Sequence, residues 1–88
     1  MRYHVAFTAR AEKELDKLPH HVQSRIARWL DLLAEDPRRA GTKKLEGHPD
    51  LRRVHASKDY VIVYTVRDNE LLVLVVRVTH RKDAYRGL

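Results

Sequence analysis

Two short stretches of the chain bring cations together with side chains that can transfer protons. The stretch LRRVHASKDY at residues 51–60 contains four basic groups: Arg52, Arg53, His55 and Lys58. The stretch VTHRKDAYRGL at residues 78–88 adds Arg81 and Tyr85. Guanidinium groups match the geometry of phosphate oxygens, and an imidazole can serve as acid or base near neutral pH. These residue types favour chemistry on a phosphate group.

Such a set of groups suits cleavage of RNA without a metal ion. In that reaction the 2′-hydroxyl attacks the adjacent phosphate, a base takes its proton, an acid protonates the leaving 5′-oxygen, and cations stabilise the transition state. His55 can supply the acid or the base, and Tyr85 can orient groups or stack on a base. The alternative is that all these residues are ordinary solvated groups on the wet face of an antiparallel sheet. Spacing alone leaves both interpretations open.

Composition disfavours other kinds of site. The chain has no cysteine, which removes disulfides and thiolate metal sites. Its six histidines include no H-E-x-x-H motif, and the adjacent pair His20-His21 cannot share one helix face. Three glycines make no Walker or dinucleotide loop. We therefore expect neither a metal ion nor a cofactor.

The net charge of +6 arises entirely in the second half of the chain. Residues 1–37 hold six Lys or Arg and six Asp or Glu, whereas residues 38–88 hold twelve against six. This asymmetry favours a polyanionic partner, either nucleic acid or an acidic protein segment. The alternative is a basic surface that serves solubility.

The length of 88 residues fits a single domain spanning 1–88. The N-terminus has no signal-like apolar run, and the longest apolar run, LLVLVV at 71–76, is far shorter than the roughly 20 residues of a membrane span. We therefore expect a soluble cytoplasmic protein that has no membrane partner.

Periodicity and turn residues predict an α+β fold with one sheet. A strand is predicted at 2–7, then a helix over 9–18 with Thr8 as its N-cap, and a second helix over 20–36 that ends before Pro37. Residues 38–50 are predicted to form a loop. Strands at about 51–57, 60–67 and 70–79, joined by the turns Lys58-Asp59 and Asp68-Asn69, form a three-stranded antiparallel meander. The helices are expected on one face of the sheet.

Alternation along the strands assigns the cations to faces. Arg53 and His55 share one face of their strand. On the last strand, the residues expected to meet the helices are Leu72, Leu74, Val76 and Val78, which leaves Arg77 on the other side. If Arg53 and His55 lie on the face away from the helices, Arg77 and Arg81 are expected on that same face. The C-terminal residues after the last strand can then fold so that Tyr85 lies over these cations.

Four motifs, found in order along nearly the whole chain, resemble the RelE/ParE superfamily of type II toxin–antitoxin toxins. They are Y-x-V-x-F-T-x-x-A-x-K-E-L-x-K-L-P from Tyr3, K-K-L-E-G from Lys43, D-Y-x-I-V-Y-x-V-x-D from Asp59 and V-x-H-R-x-D-x-Y from Val78. The resemblance implies a single RelE-like toxin domain over residues 1–88.

The resemblance also implies a function and partners. RelE-like members enter the ribosomal A site and cleave mRNA without a metal ion, whereas ParE-like members share the fold and poison DNA gyrase. An antitoxin wraps around the toxin, and the pair usually represses its own operon. The implied partners are therefore a cognate antitoxin, the ribosome and mRNA, with operator DNA reached only through the antitoxin complex.

By position, the resemblance assigns catalytic roles to four residues and leaves others as candidates for binding RNA. The catalytic set is Arg53, His55, Arg81 and Tyr85. The additional RNA-binding candidates are Lys43, Lys44, Arg52, Lys58 and Arg77.

Two positions depart from the family pattern. Val61 stands where an arginine normally contacts the scissile phosphate, and Glu46 stands at a second position that is normally basic. The implied site therefore lacks cations that the family usually has. A ribosome-dependent mRNA endonuclease is the leading hypothesis. A ParE-like gyrase inhibitor and a catalytically degenerate homologue that acts by binding are the alternatives.

Overall fold

The structure, a computed structural model, describes residues 2–88. Its elements in chain order are β1 (His4–Phe7), α1 (Ala9–Asp16), α2 (His20–Glu35), β2 (Lys43–Leu45), β3 (His48–His55), β4 (Tyr60–Arg67), a 3₁₀ helix (Asp68–Glu70) and β5 (Leu72–His80). No helix within these described residues is long and apolar enough to cross a membrane.

The strands form one sheet in the order β1-β5-β4-β3-β2. β1 lies parallel to β5, and the other neighbouring pairs are antiparallel. The two helices connect β1 to β2 and pack on one face, where Ala11, Ile26 and Leu33 are fully buried against the sheet. The predicted α+β architecture, with helices on one face of a single sheet, is confirmed.

Thr8 begins α1 and also fastens it to the sheet. Its Oγ1 accepts a hydrogen bond from the Ala11 N–H at 3.2 Å and donates one to the Val76 carbonyl at 3.1 Å. The first bond is the N-cap that the sequence predicts, and the second ties α1 to β5. The pairing of β1 with β5 ends at Phe7 opposite Val75. From this point α1 takes the place of β1 beside β5.

The prediction of a loop over 38–50 is wrong in its second half. Lys43–Leu45 form β2, and β3 begins at His48. Only Glu46 and Gly47 separate them, and Gly47 has a φ of +80°, which a residue without a Cβ adopts readily. β2 has no apolar alternation of its own, so its conformation comes from pairing with β3. The described sheet therefore has five strands instead of four.

The prediction of a two-residue turn at Asp68-Asn69, with a strand from residue 70, is also wrong. Asp68–Glu70 form a 3₁₀ helix, and Leu71 follows with φ 49° and ψ 49°. This left-handed conformation is unusual for an apolar residue. It is held by a hydrogen bond from the Leu71 N–H to the Asp68 carbonyl at 3.1 Å. Position 71 holds a leucine instead of the glycine that usually adopts this conformation. The residue types therefore predict the two-residue turn and not the longer connection.

A β-bulge corrects the faces predicted for β5. Val63 of β4 pairs with Arg77, whereas Tyr64 pairs with Val75, so Val76 is an extra residue in β5. The β5 residues that pack against the helix-side core are Val73, Val75 and Val78. The prediction for Leu72, Leu74 and Val76 is therefore wrong, and that for Val78 is right. Because residues 71–76 are all apolar, their alternation cannot be read from the sequence.

The opposite face of the sheet is covered by C-terminal residues. Ala84 is fully buried in a cluster with Val61 and Val63 of β4 and Leu45 of β2. We call this side of the sheet the tail face, defined by those four buried residues. The segment that reaches it also carries Tyr85.

Arg77 connects the C-terminal tail, the residues after β5 at 81–88, to β5 and α1. Its guanidinium is paired with Glu14 of α1, through Nε at 3.2 Å and through Nη2, and its side chain is only 6% exposed. Its Nη1 donates to the carbonyls of Asp83 and Arg86 at 2.7 and 2.8 Å. These carbonyls lie on either side of Tyr85 in the chain. One buried arginine therefore fixes the backbone that presents Tyr85.

We expect Glu14→Gln to lower the free energy of unfolding by about 3–5 kcal/mol, because it leaves a buried guanidinium without its counter-charge. The tail should loosen as well, so amide hydrogen exchange at residues 84–86 should become faster. Urea unfolding followed by Trp29 fluorescence measures the first effect, and native-state hydrogen exchange measures the second.

Glu12→Gln is the matched control, because it removes an exposed carboxylate from the same helix and should cost less than about 1 kcal/mol. A double variant, Glu14→Leu with Arg77→Met, removes both charges and should recover part of the lost stability, because the buried charge is gone but the Val78 N–H loses its acceptor. If Glu14→Gln is as stable as the control, the pair does not hold the tail.

Candidate functional site

The tail face has an apolar floor bordered by charged groups. Val61 and Val63 have no exposed surface. Strand pairing sets Arg53 beside Val63 and His55 beside Val61, and directly paired residues point to the same face of a sheet. Arg53 and His55 therefore lie on the face away from the helices.

A cleft of about 450 Å³ opens at the β2 end of this face. It is lined by Lys43, Lys44, Leu45, Glu46, Arg53 and Tyr85, and we call it the tail-side cleft. Lys43 lies directly opposite Arg53 in the β2–β3 pairing, and like charges in opposed positions repel. An anion bound here would relieve that repulsion. Tyr85, whose exposed fraction is 47%, offers an aromatic surface beside it.

His55 lies two residues along β3 from Arg53. It is exposed, and its neighbour Val61 pairs in turn with Thr79 of β5. The structure thus makes Val61, where the family pattern has an arginine, a buried part of the floor between His55 and Thr79. This part of the tail face receives no cation from β4.

Arg81 follows β5 and lies against the turn between β3 and β4. Its N–H donates to the Asp59 carbonyl at 2.7 Å, and its Nε lies 3.9 Å from Asp59 Oδ1. The side chain is 53% exposed, so Asp59 positions Arg81 and still leaves its guanidinium open to a second anion. Sequence reasoning missed Asp59, and its place in the motif D-Y-x-I-V-Y is the signal that points to it.

The predicted RNA-binding residues are divided among several places. Lys43 and Lys44 line the tail-side cleft. Arg52 points to the helix face of β3, and Lys58 lines a separate recess beside α2. Arg77 is buried beneath the tail, with its donors taken by a carboxylate and by backbone carbonyls. The contacts of Arg77 support a structural role, so we do not include it among the proposed RNA ligands.

The tail face can bind a phosphodiester and move protons. Arg53 with Lys43 offers charge on one side, and Arg81 offers charge at the end of β5. His55 supplies an imidazole next to an apolar floor. Glu46 lines the cleft and lowers its positive charge. Among residues 2–88, no group of three or more His, Cys, Asp or Glu side chains is placed to hold a metal ion.

The amino-acid sequence matches known toxins over nearly its full length. The family model described as "ParE toxin of type II toxin-antitoxin system, parDE" matches residues 5–85. "Toxin RelE" of Mycobacterium tuberculosis is 32% identical over 87 residues, which cover 96% of this chain and 87% of that protein. "mRNA interferase toxin RelE" of Escherichia coli is 35% identical over 83 residues, which cover 93% of this chain and 86% of that protein.

Solved structures agree with the sequence comparisons. The toxin–antitoxin complex RelBE2 of M. tuberculosis contains a chain with a TM-score of 0.81 and 27% identity, covering 94% of this chain and 95% of that one. The intact E. coli RelBE complex contains a chain with a TM-score of 0.78 and 35% identity, covering 89% of this chain and 95% of that one. The chain therefore belongs to the RelE/ParE superfamily of type II toxin–antitoxin toxins.

Proposed function

We propose that this protein is the toxin of a type II toxin–antitoxin system and that it cleaves mRNA on the ribosome, in the cytoplasm. The observation that carries the proposal is the cleft shared by Arg53 and Tyr85, with His55 exposed two residues along the same strand. A relative named as an mRNA interferase supports mRNA as the substrate.

In the proposed reaction the RNA supplies its own nucleophile. The 2′-oxygen attacks the adjacent phosphorus while a base takes the hydroxyl proton. The bond from phosphorus to the 5′-oxygen breaks, and an acid protonates the leaving oxygen. The products are a 2′,3′-cyclic phosphate and a 5′-hydroxyl. Cations around the cleft stabilise the charge of the transition state.

The tail face supplies groups for the phosphate contacts and for one of the two proton transfers, and the other proton is exchanged with solvent water. Arg53 and Arg81 bind the phosphate oxygens, since guanidinium groups can contact two of them at once. His55 transfers a proton, and Tyr85 stacks on a base next to the cut. Lys43 extends the contact to a neighbouring phosphate. With valine at position 61, the remaining cations account for a larger share of the charge stabilisation.

We also infer a cognate antitoxin as partner. Relatives of the same fold are found in toxin–antitoxin complexes. β1 and β2 are the edges of the sheet, and an unpaired edge can accept a strand from another chain. A segment rich in acidic and apolar residues, disordered alone, fits a basic surface with free edges. Operator DNA is then reached only through this complex.

The second candidate function is inhibition of DNA gyrase by binding. It is favoured by the family model, which carries the ParE name, and by Val61, which leaves the centre of the tail face without an arginine. A homologue that has lost catalysis and acts only by binding is the third candidate, and it rests on the same valine.

Sequencing of RNA 5′ ends after brief expression in cells tests the proposed function. We expect new ends inside translated regions, phased with the codons, because the ribosome positions the mRNA in the cleft. The ends should disappear when translation initiation is blocked beforehand. DNA breaks with intact mRNA would instead support the gyrase candidate, and growth arrest with neither lesion would support binding alone.

We expect His55→Gln to lower the cleavage rate by roughly 10²–10⁴-fold, the usual contribution of a general acid or base. The measurement is single-turnover cleavage of mRNA on programmed ribosomes. His20→Gln, an exposed histidine on α2, is the control and should behave as wild type. An unchanged rate would remove His55 from the mechanism.

Replacing Arg53 or Arg81 by Ala should weaken both ribosome binding and cleavage, because each guanidinium is assigned to the phosphate. Lysine at either position should restore binding better than rate, since it keeps the charge but loses the bidentate geometry. Arg28→Ala, an exposed arginine of α2, controls for the loss of charge. Full cleavage activity of both alanine variants would contradict the assignment.

A further inference from the structure

The β2–β3 hairpin carries opposed cations on both of its faces. Lys43 pairs with Arg53 on the tail face, and the next pair along the ladder is Lys44 with Arg52 on the helix face. Consecutive residues of a strand point to opposite sides. Each pair costs stability unless an anion lies nearby, because like charges directly opposite one another repel. The tail-side pair belongs to the proposed active site. In the helix-side pair, Lys44 also borders the tail-side cleft, whereas Arg52 does not.

The helix-side pair lies in a separate cleft of about 490 Å³. The side chains that line it include four cations, Arg38, Lys44, Arg52 and Arg67, together with Asp50 and Thr65. α2 ends at Glu35, and this part of the sheet is open. We call the space the helix-side cleft.

Two of the four cations already have acidic partners. Arg38 donates through both Nη atoms to Asp68, at 3.0 and 2.8 Å. This contact, with a further bond from the Tyr3 hydroxyl, lowers the pKa of Asp68 to about 2. Arg67 lies 3.9 Å from Glu70. Arg38 and Arg67 therefore form part of the wall of the cleft, but their positive charges are largely compensated by Asp68 and Glu70.

Lys44 and Arg52 have no such partner. Within residues 2–88, neither forms an ion pair with a carboxylate inside 4 Å. Arg52 donates from Nη2 to Thr42 Oγ1 at 2.9 Å, and its Nε is buried without a hydrogen-bond partner. A buried donor left unpaired costs free energy. Lys44 lies on a short edge strand, where a lysine often has no role beyond preventing aggregation. Arg52 is half-buried on an inner strand, so this explanation does not apply to it.

We propose that the helix-side cleft binds a phosphate of an RNA backbone, held by Arg52 and Lys44. A phosphate has enough acceptor oxygens to bond a guanidinium and an ammonium at once. Six of the eight lining residues are polar or charged, the other two being Pro49 and Val66, so the cleft offers few apolar anchors to a protein partner. The site lies across the sheet from the tail-side cleft. The RNA it holds is therefore a different segment from the strand that is cut, and the β2–β3 hairpin lies between two phosphate backbones.

Binding of an RNA hairpin made of 2′-O-methyl nucleotides tests the site, because this RNA cannot be cleaved by 2′-hydroxyl attack. Lys44 also lines the tail-side cleft, so the test variant is Arg52→Gln, which changes the helix-side cleft alone. We expect this cleft variant to bind the RNA about tenfold or more weakly near 0.1 M salt. The slope of log K against log salt should fall by roughly 1, as expected when one phosphate contact is lost. Fluorescence anisotropy over a salt series measures both. The result does not depend on whether the protein cuts mRNA.

The control is a Lys13→Gln variant, which removes the same charge from the exposed surface of α1. If it weakens binding as much as the cleft variant does, Lys44 and Arg52 are merely part of the general positive charge and the proposal fails. The cleft variant should melt at or above the wild-type temperature, because it removes a like-charge pair. If it unfolds instead, Arg52→Lys alone serves as the test. It should keep the salt slope but lower affinity, and unchanged affinity overturns the proposal.

Inorganic phosphate distinguishes a free anion from an RNA backbone. Titration of 15N-labelled protein with phosphate should shift the amides of the helix-side cleft only weakly, and the RNA hairpin should shift the same amides at far lower concentration. If phosphate alone saturates the cleft at a concentration similar to that of the RNA hairpin, the ligand is a small anion and RNA is excluded.

Discussion

The ion pair between Glu14 and Arg77 is the interaction on which the tail face depends. β1 stops accompanying β5 at Val75, and the carboxylate of Glu14 then accepts the N–H of Val78 at 3.1 Å in place of a strand carbonyl. The same carboxylate neutralises Arg77, whose remaining donors hold the tail. A buried pair of this kind adds little net stability compared with apolar residues, but it selects one position for the tail. The placement of Tyr85 thus depends on a charge in α1, an element that does not line the tail-side cleft.

Elements with their own periodicity could be predicted from the sequence, and elements created by pairing could not. α2 and β4 have regular apolar patterns, and Thr8 has the side chain of an N-cap, so these features follow from local physics. β2 is a strand only because β3 lies beside it. The bulge at Val76 lies where β5 leaves β1 and packs beside α1, and the six consecutive apolar residues at 71–76 hide it from the sequence pattern. Leu71 adopts a left-handed conformation that its residue type does not indicate.

The site divides in the same way. Arg53 and His55 could be placed on one face because β3 and β4 pair without a bulge in that region. Arg77 was predictable as a cation on the tail side, but not as a buried one, because Glu14 lies 63 positions earlier in the chain. The position of Tyr85 depends on that same contact. The opposed pairs Lys43 with Arg53 and Lys44 with Arg52 need the register of β2, a strand that the local pattern does not reveal.

Val61 links the stability of the sheet to the distribution of its charge. A buried valine at the centre of the sheet contributes roughly 1.5–3 kcal/mol of apolar burial, and an arginine there would need an anion or solvent to avoid a desolvation cost. With valine at position 61, the floor of the tail face is apolar. The positive charges lie at its borders, on the β2–β3 hairpin at one side and at Arg81 on the other. In the proposed reaction, a phosphodiester is then held from the borders of the tail face and not from its centre. His55, which stands beside the apolar floor, is the polar group nearest to that centre on β3. The proposed cleavage therefore depends more on the imidazole than the family pattern implies.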